Sequence, residues 1–127
     1  MTIKDKLEGY FIELGIPYEQ KPDNLWIISD EDKSLREIIV TIEESVVTIT
    51  VNVMQIPSGN NEEFYKKLLT LNATDMIHGA YALEGNNVVL IDTLEGETMD
   101  LNELQASLDA MSLALTQHYK VLSGYRN

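Results

Sequence analysis

Cysteine is missing from this chain of 127 residues. Its absence excludes disulfides, thiolate zinc sites and a cysteine nucleophile, and it fits a reducing compartment. Long apolar runs are missing as well, since none approaches the roughly 18 residues of a membrane span. Residues 1–11 hold no apolar segment of signal-peptide length. We therefore expect a cytoplasmic protein that does not enter a membrane.

Positive charge is scarce. The 9 Lys and Arg residues stand against 21 Asp and Glu residues, which gives a net charge of −12. Such a negative surface repels the phosphates of nucleic acids and anionic membranes, so we expect neither as a partner. It suits a protein partner with basic flanks, although keeping the protein soluble is an equally good reason for the charge.

Apolar and charged residues occur in ordinary globular proportions. Hydrophobic residues make up 44% of the chain and charged residues 24%. Disordered chains are poorer in apolar residues, so this composition indicates a folded protein. At this length we expect a single domain that covers residues 1–127.

The spacing of apolar residues changes along the chain and predicts an α+β fold. Helical spacing from residue 3 ends before Gly15 and Pro17, and a two-residue period follows from Tyr18 to Met54. The predicted order is helix, three strands, helix, two strands, helix, with an antiparallel sheet packed against the helices. The predicted bounds are helix 3–14, strands 25–29, 35–42 and 46–54, helix 61–72, strands 78–83 and 88–92, and helix 101–122.

The clearest strand, residues 46–54, alternates between two kinds of side chain. Successive side chains of a strand point to opposite faces of the sheet. Half-polar alternation therefore predicts one covered face and one face that is open to solvent or to a partner. The apolar face carries Val47, Ile49, Val51 and Val53, and the mixed face carries Val46, Thr48, Thr50, Asn52 and Met54.

The last quarter of the chain predicts a long amphipathic helix. Asp100 and Glu103 have the spacing of a capping box at its start, and Gly124 is a natural end. The apolar side of this helix covers either the core of the domain or a seam with a second chain. That side carries Leu104, Leu108, Met111, Leu115, Tyr119 and Leu122.

Three stretches of the chain resemble a known family. Residues 68–73 (LLTLNA) look like its helix-ending segment, residues 80–84 (AYALE) and 87–90 (NVVL) look like its next hairpin, and residues 100–104 (DLNEL) look like the start of its final helix. This is the YbjN-like family of small bacterial proteins, whose fold is like that of type III secretion chaperones of the Tir-chaperone type. In element order the resemblance runs from Leu25 to Leu122.

The resemblance implies a secretion-chaperone-like fold and supplies no catalytic residue. Chaperones of this kind are small, acidic and dimeric, and they grip an extended segment of a secreted protein. The resemblance therefore implies protein binding and a homodimer. YbjN-like proteins are described as regulators without an agreed biochemical activity.

A partner segment is expected on the open side of the sheet and on the first helix. Trp26 is the only tryptophan, and large rigid aromatic side chains often anchor interfaces. The simpler alternative places Trp26 in the core. The predicted partner-binding residues are Tyr10, Phe11, Trp26, Ile28, Thr48, Thr50 and Met54.

The sequence carries no recognisable motif for catalysis, for a metal or for a cofactor. His78 and His118 have no metal-ligand spacing around them and are expected at the surface or its boundary. Residues 30–33 predict a solvated turn, because a calcium loop started there would have Leu35 and Thr41 at its glycine and glutamate positions. There is no Gly-x-Ser-x-Gly elbow and no Gly-rich phosphate loop. We expect neither an enzyme nor a bound cofactor.

Two protein-binding functions fit these features. The first is a chaperone-like module that holds an extended or exposed apolar segment of a partner protein. The second is a regulatory or scaffold protein that docks folded partners through its acidic surface. The two differ in their response to salt, because screening weakens an electrostatic dock but not an apolar groove.

Overall fold

The computed structural model describes residues 1–31 and 35–126, without the side chain of Arg36. These residues form three helices and six strands, and the predicted α+β fold is confirmed with one strand more than the sequence predicted. The elements are α1 (Ile3–Glu13), β1 (Tyr18–Lys21), β2 (Leu25–Asp30), β3 (Leu35–Glu43), β4 (Val46–Gln55), α2 (Glu62–Thr74), β5 (Ala80–Glu84), β6 (Asn87–Glu95) and α3 (Leu101–Ser123).

The strands form one antiparallel sheet in the order β1-β2-β3-β4-β6-β5. Strands β1 to β4 follow each other as a meander, and the chain then passes through α2 to the far edge of the sheet. There β5 and β6 form a hairpin, and β6 returns beside β4. The two edges are thus short strands, β1 with 4 residues and β5 with 5.

The additional strand, β1, pairs with β2 in a hairpin. Asp23 and Asn24 make the turn with left-handed backbone conformations, with φ angles of 63° and 57°. Asp and Asn adopt this conformation more readily than other residues with a Cβ. All four side chains of β1 are exposed, so no apolar pattern marks this strand in the sequence.

All three helices pack on one face of the sheet, as the alternation in β4 predicted. The buried residues of this face form a single cluster with the buried residues of the helices. From the sheet come Trp26, Ile28, Ile38, Val40, Val47, Ile49, Val51, Val88 and Leu90, and from the helices come Leu7, Phe11, Phe64, Leu68, Leu71, Leu104, Leu108 and Met111.

Two helices begin at side chains that cap them. The side chain of Thr2 accepts a hydrogen bond from the N–H of Asp5, and the Asp5 carboxylate accepts one from the N–H of Thr2. This reciprocal pair is a capping box, which satisfies N–H groups at the start of α1. Asp100 likewise accepts from the N–H of Glu103 at 2.8 Å and starts α3.

The buried side of α3 differs from the prediction at one position. Tyr119 is exposed, and the neighbouring His118 is buried, with only 3% of its surface accessible. Steps of four residues from Ala114 to His118 to Leu122 stay on one side of a helix with 3.6 residues per turn. The expectation that His118 lies at the surface or its boundary is therefore wrong.

The acidic turn predicted at residues 30–33 lies only partly within the structure, since Asp32 and Lys33 fall outside the described residues. Among the residues that are described, no three His, Asp or Glu side chains stand where they could hold a metal ion. Of the described helices, including α3 with its 23 residues, none is apolar enough along a sufficient length to cross a membrane.

Candidate protein-binding surfaces

The face of the sheet opposite the core is the open face, since the buried residues of all three helices belong to the cluster on the other face. Residues that are paired across neighbouring strands share a face of the sheet. One row of such pairs crosses the open face from edge to edge. Its members are Glu19 (β1), Ile27 (β2), Ile39 (β3), Thr50 (β4), Ile91 (β6) and Ala80 (β5).

The four central members, Ile27, Ile39, Thr50 and Ile91, are the open-face row. Ile39 is 40% exposed, and the other three are half-buried by their neighbours in the sheet. Contiguous exposed apolar groups mark interaction sites more often than scattered ones do. Acidic side chains lie around the row on the same face, namely Glu19, Glu43, Glu84 and Glu95, and Glu19 is paired there with Lys21 at 2.8 Å.

A second apolar surface, the α2–β5 patch, consists of Tyr65 and Leu69 of α2 and Leu83 of β5. Tyr65 and Leu69 are one helical turn apart and therefore point the same way. Leu69 is 68% exposed and Leu83 is 50% exposed. The patch lines a cavity of about 270 Å³ together with Leu68, Asn72, Tyr81 and Ala82.

Asn72, in the last turn of α2, binds the backbone of Tyr81 at the outer edge of β5. Its side-chain oxygen accepts the N–H of Tyr81 at 2.7 Å, and its side-chain nitrogen donates to the carbonyl of Tyr81 at 3.1 Å. The amide thus takes both backbone groups as a neighbouring strand would. An open strand edge is a template for uncontrolled pairing, so this contact protects the sheet. It also gives the asparagine of the LLTLNA segment a structural role.

Buried His118 connects α3 to the end of α2 and to β5. Its Nε2 lies 3.0 Å from Oδ2 of Asp75, and its Nδ1 lies 2.7 Å from the hydroxyl of Tyr81. Hydrogen bonds from Thr74 and His118 lower the pKa of Asp75, which keeps this carboxylate ionised. Burial, together with the negative charge of Asp75, raises the pKa of Tyr81 to about 12, so the phenol keeps its proton.

A comparison with known families agrees with this architecture. CesT_Tir_1, a family of type III secretion chaperones, matches residues 2–127. The chain belongs to the CesT_Tir_1 family. The YbjN-like, secretion-chaperone-like fold that the resemblance implied is thereby confirmed.

Several solved structures are similar to this chain. YbjN from E. coli has a TM-score of 0.67 at 11% identity, over 91% of this chain and 90% of that chain. The Yersinia pestis type III secretion chaperone SycH, solved with a fragment of YscM2, has a TM-score of 0.65 at 21% identity, over 91% and 98%. The ExoU–SpcU complex of Pseudomonas aeruginosa has a TM-score of 0.61 at 13% identity, over 92% and 95%. At these identities the likeness shows the fold alone. No curated protein matches the chain by sequence.

Four of the seven predicted partner-binding residues lie in the core of this family member. They are Phe11, Trp26, Ile28 and Met54. Trp26 lies in the core, which was the simpler alternative for this residue. Its indole Nε1 donates to Oε2 of Glu8 at 3.0 Å, so its polar atom is satisfied as well. In this arrangement the four side chains are buried, with Met54 the most accessible at 7%.

The other three predicted residues are accessible in part, but they lie on different sides of the sheet. Thr48 and Thr50 are on the open face. Tyr10 is on α1, on the side of the helices, where its hydroxyl donates to the carbonyl of Met99 at 3.4 Å. A role of these three residues in binding stays a prediction.

Met54 does not share a face with Thr48 and Thr50, and that prediction is wrong. A β-bulge between Asn52 and Met54 places one extra residue of β4 against β6. Because side chains alternate with a period of two, the extra residue moves Met54 to the covered face, where it pairs with Val88. Strict counting along the strand could not show this shift.

Sequence reasoning found Thr50 but missed the three isoleucines of the open-face row, because the row depends on pairing between strands. The available signal was the apolar run of β3, which has Ile38 and Val40 in the core and Ile39 on the other side. Apolar residues on both faces of one strand indicate that the second face also contacts something. The hydrogen bonds of Asn72 and His118 join residues from different elements, and no local spacing marks them.

Proposed function

We propose that this protein is a cytoplasmic, non-enzymatic binding module that holds an extended or exposed apolar segment of a partner protein against the open face. The open-face row carries the proposal, because Ile27, Ile39 and Ile91 form an apolar band that the helices leave uncovered. The similar fold of SycH, solved with a fragment of YscM2, supports a protein as the partner.

The contacts on this face would be apolar in the middle and electrostatic at the rim. A segment laid on the row removes isoleucine side chains from water, at about 25 cal/mol per Å² of apolar surface. The acids around the row favour a partner with basic flanks and repel an acidic one. The negative charge at the rim therefore selects among apolar segments by the charge of their flanking residues.

Ile39→Asp tests the open face. Ile39 is partly exposed, so an aspartate there stays hydrated and the fold is expected to persist. Partner proteins are captured from the native host and identified, and overlapping synthetic peptides that cover their sequences are prepared. The Kd of each peptide is measured by fluorescence anisotropy. We expect Ile39→Asp to weaken the tightest peptide at least tenfold, since it places a charge in an apolar contact.

The matched control is Ile12→Asp, at an exposed isoleucine of α1 on the other side of the molecule. It is expected to bind like the wild type. Equal binding by the wild type and Ile39→Asp would place the segment elsewhere. If no peptide binds the wild type, the chaperone-like function itself is wrong.

We further propose that two copies join through the α2–β5 patch. Exposed apolar groups on one helix and one adjoining strand suit a two-fold symmetric contact, in which the same patch of each copy packs against that of the other. Asn72 already occupies the backbone groups of Tyr81, so this contact is made by side chains rather than by a continued sheet. The resemblance likewise implied a homodimer.

Leu69→Asp tests this contact by light scattering on a size-exclusion column. The wild type is expected at twice the chain mass of 14.4 kDa, and Leu69→Asp at the mass of one chain. Ile12→Asp again serves as the control and should keep the larger mass. A wild-type mass of one chain at high concentration would contradict the dimer.

A second candidate function is a regulatory scaffold that docks folded partners through its acidic surface. The net charge of −12 favours it. So does the similarity in fold to YbjN, whose structure is described as that of a candidate transcription regulator. Such a dock depends on charge rather than on the open-face row, so Ile39→Asp would leave it intact.

A further inference from the structure

The open face carries the same pattern of side chains twice. Residues 39–43 of β3 and residues 91–95 of β6 both have the sequence Ile-x-Thr-x-Glu. The two stretches run in the same direction, because each is antiparallel to β4, which lies between them. They are also in register, so each residue of the pattern in β3 is level with the same residue type in β6.

Along β4 the flanking pairs change in three steps. Thr50 lies between two isoleucines, Thr48 between two threonines, and Val46 between two glutamates. Successive steps are two residues apart, so the isoleucine pair and the glutamate pair are separated by about 13 Å along the strands. These nine residues are the graded strip, and its flanking pairs are Ile39 and Ile91, Thr41 and Thr93, and Glu43 and Glu95.

The match between β3 and β6 is confined to the open face. The intervening residues, which point to the covered face, are Val40 and Ile42 in β3 but Asp92 and Leu94 in β6. Asp92 accepts a hydrogen bond from the hydroxyl of Ser107 in α3 at 2.6 Å. Contact with the helices therefore determines the intervening residues and does not account for the repeated pattern on the other face.

The acidic end of the graded strip suits a basic side chain. Glu43 and Glu95 are exposed, and Val46 between them is 39% exposed. Within the described residues neither carboxylate forms an ion pair or a hydrogen bond, whereas Glu19 is paired with Lys21. The two glutamates belong to strands that are about 10 Å apart. A Lys or Arg of a partner can therefore lay its aliphatic stem on Val46 and place its charge between the two carboxylates.

The other end of the face has no such pair of acids. Beyond the isoleucines the next row holds Asn52, Val89 and Ala82, none of which is charged. Glu84 lies farther out on β5, and Glu37 precedes the part of β3 that pairs with β4, so β4 and β6 separate these two acids. The graded strip thus has one apolar end and one acidic end.

We propose that the graded strip binds a five-residue pattern in the partner segment, with an apolar side chain between the two isoleucines and a Lys or Arg four positions away between the two glutamates. An extended chain advances about 3.3 Å per residue, so side chains four positions apart match the length of the strip and point the same way. The inference rests on the proposed function, because it concerns the segment held on the open face. Only side chains make these contacts, so the basic residue lies four positions before or after the apolar one.

Removing charge from both sides of the contact tests the graded strip. The probe is the tightest partner peptide of the Ile39→Asp experiment, and its apolar anchor is the residue whose replacement by alanine weakens binding most. Each Lys and Arg of this peptide is then replaced by glutamine in turn. At about 50 mM NaCl we expect the Kd to rise about threefold for the basic residue four positions from the anchor, since exposed ion pairs are modest in strength. In the variant Glu43→Gln/Glu95→Gln the same replacement should change the Kd by less than about 1.5-fold.

The matched control is Glu84→Gln/Glu97→Gln, which removes two exposed carboxylates outside the graded strip. It should keep the threefold effect of the wild type. The variant Glu43→Lys/Glu95→Lys should reverse the preference, so that a peptide with glutamate at the basic position binds more tightly than the original peptide.

The graded strip is overturned if the tightest peptide has no Lys or Arg four positions from its anchor. It is also overturned if replacing that residue has the same effect in the wild type and in Glu43→Gln/Glu95→Gln. Binding that Ile39→Asp weakens but the two glutamates do not affect would keep the open face and reject the strip. If no peptide binds the wild type, or if Ile39→Asp binds equally well, the proposed function fails and the strip with it.

Discussion

The phenol of Tyr81 is a single group whose ionisation affects the stability of the whole domain. Its pKa in the folded protein is about 12, above the ordinary value of 10.0, so the unfolded chain releases this proton first. The contribution of the phenol to stability is therefore complete below pH 10 and is lost as the pH rises toward 12. Between pH 9 and pH 11.5 we expect a loss of roughly 2 kcal/mol.

Tyr81→Phe removes this titration. Its effect is the difference between the free energies of unfolding of the variant and the wild type, measured in urea at pH 9 and at pH 11.5. At pH 9 the variant should be less stable than the wild type by about 1 to 2 kcal/mol, since Nδ1 of His118 loses its donor. At pH 11.5 the two proteins should be nearly equal in stability. Tyr119→Phe, at an exposed tyrosine, should follow the wild type at both values. A constant gap between Tyr81→Phe and the wild type would contradict the raised pKa.

At the scale of elements, α2 and β5 are held together by one amide side chain. Asn72→Ala removes both of its hydrogen bonds to Tyr81 and leaves two backbone groups at the edge of β5. We expect a loss of about 2 kcal/mol in urea unfolding, from two hydrogen bonds of about 1 kcal/mol each. Light scattering should also show slow aggregation, because the strand edge becomes free to pair.

The control for this change is Asn102→Ala, at an exposed asparagine in the first turn of α3. It removes the same side chain without touching β5 and should change stability by less than about 0.5 kcal/mol. If Asn72→Ala is as stable as Asn102→Ala, the amide does not protect the edge.

The elements differ in how far the sequence predicts them. The bounds of α1, β3 and α3 lie within a residue or two of the predicted ones, because caps and apolar periods are local signals. Strand β1 has neither an apolar side chain in the core nor a period, and only its pairing with β2 defines it. The bulge in β4 likewise arises from pairing, here with β6.

The candidate site shows the same division between local and non-local signals. The sequence predicted a sheet with one open face and placed Thr50 on it. It assigned Trp26 and Ile28 to a binding role, although the strand register turns both toward the helices. Periodicity separates the two faces of one strand, but it cannot say which face of the next strand lies beside it.

Met54→Asp tests the bulge in β4. The bulge turns Met54 into the core, where 7% of it is exposed, so an aspartate there is a buried charge without a partner. We expect urea unfolding to show a loss of more than about 3 kcal/mol. Gln55→Asp, at the exposed next position, should lose less than about 0.5 kcal/mol. A stable Met54→Asp variant would indicate that Met54 lies on the open face and that β4 has no bulge at this position.

For the whole molecule, the build of the two sheet edges bears on how a partner segment would bind under the proposed function. At β5, Asn72 occupies the outward backbone groups of Tyr81. Strand β1 at the other edge is short and exposed and lies between Pro17 and Pro22, features that discourage strand pairing. A segment that binds is therefore expected to lie on the face and to contact side chains, rather than to extend the sheet.

Salt distinguishes the apolar face from the acidic surface as the dominant contact of the whole molecule. Raising NaCl from about 50 mM to about 500 mM shortens the screening length from roughly 14 Å to roughly 4 Å. A peptide held by the open-face row should then change its Kd by less than about threefold, because apolar burial is insensitive to screening and only the rim acids lose influence. A partner docked on a surface with a net charge of −12 should weaken by more than about tenfold. Anisotropy titrations across this range give the slope of log Kd against log salt concentration for the wild type and for Ile39→Asp. A steep slope that is the same in the two proteins would favour the scaffold over the chaperone-like function.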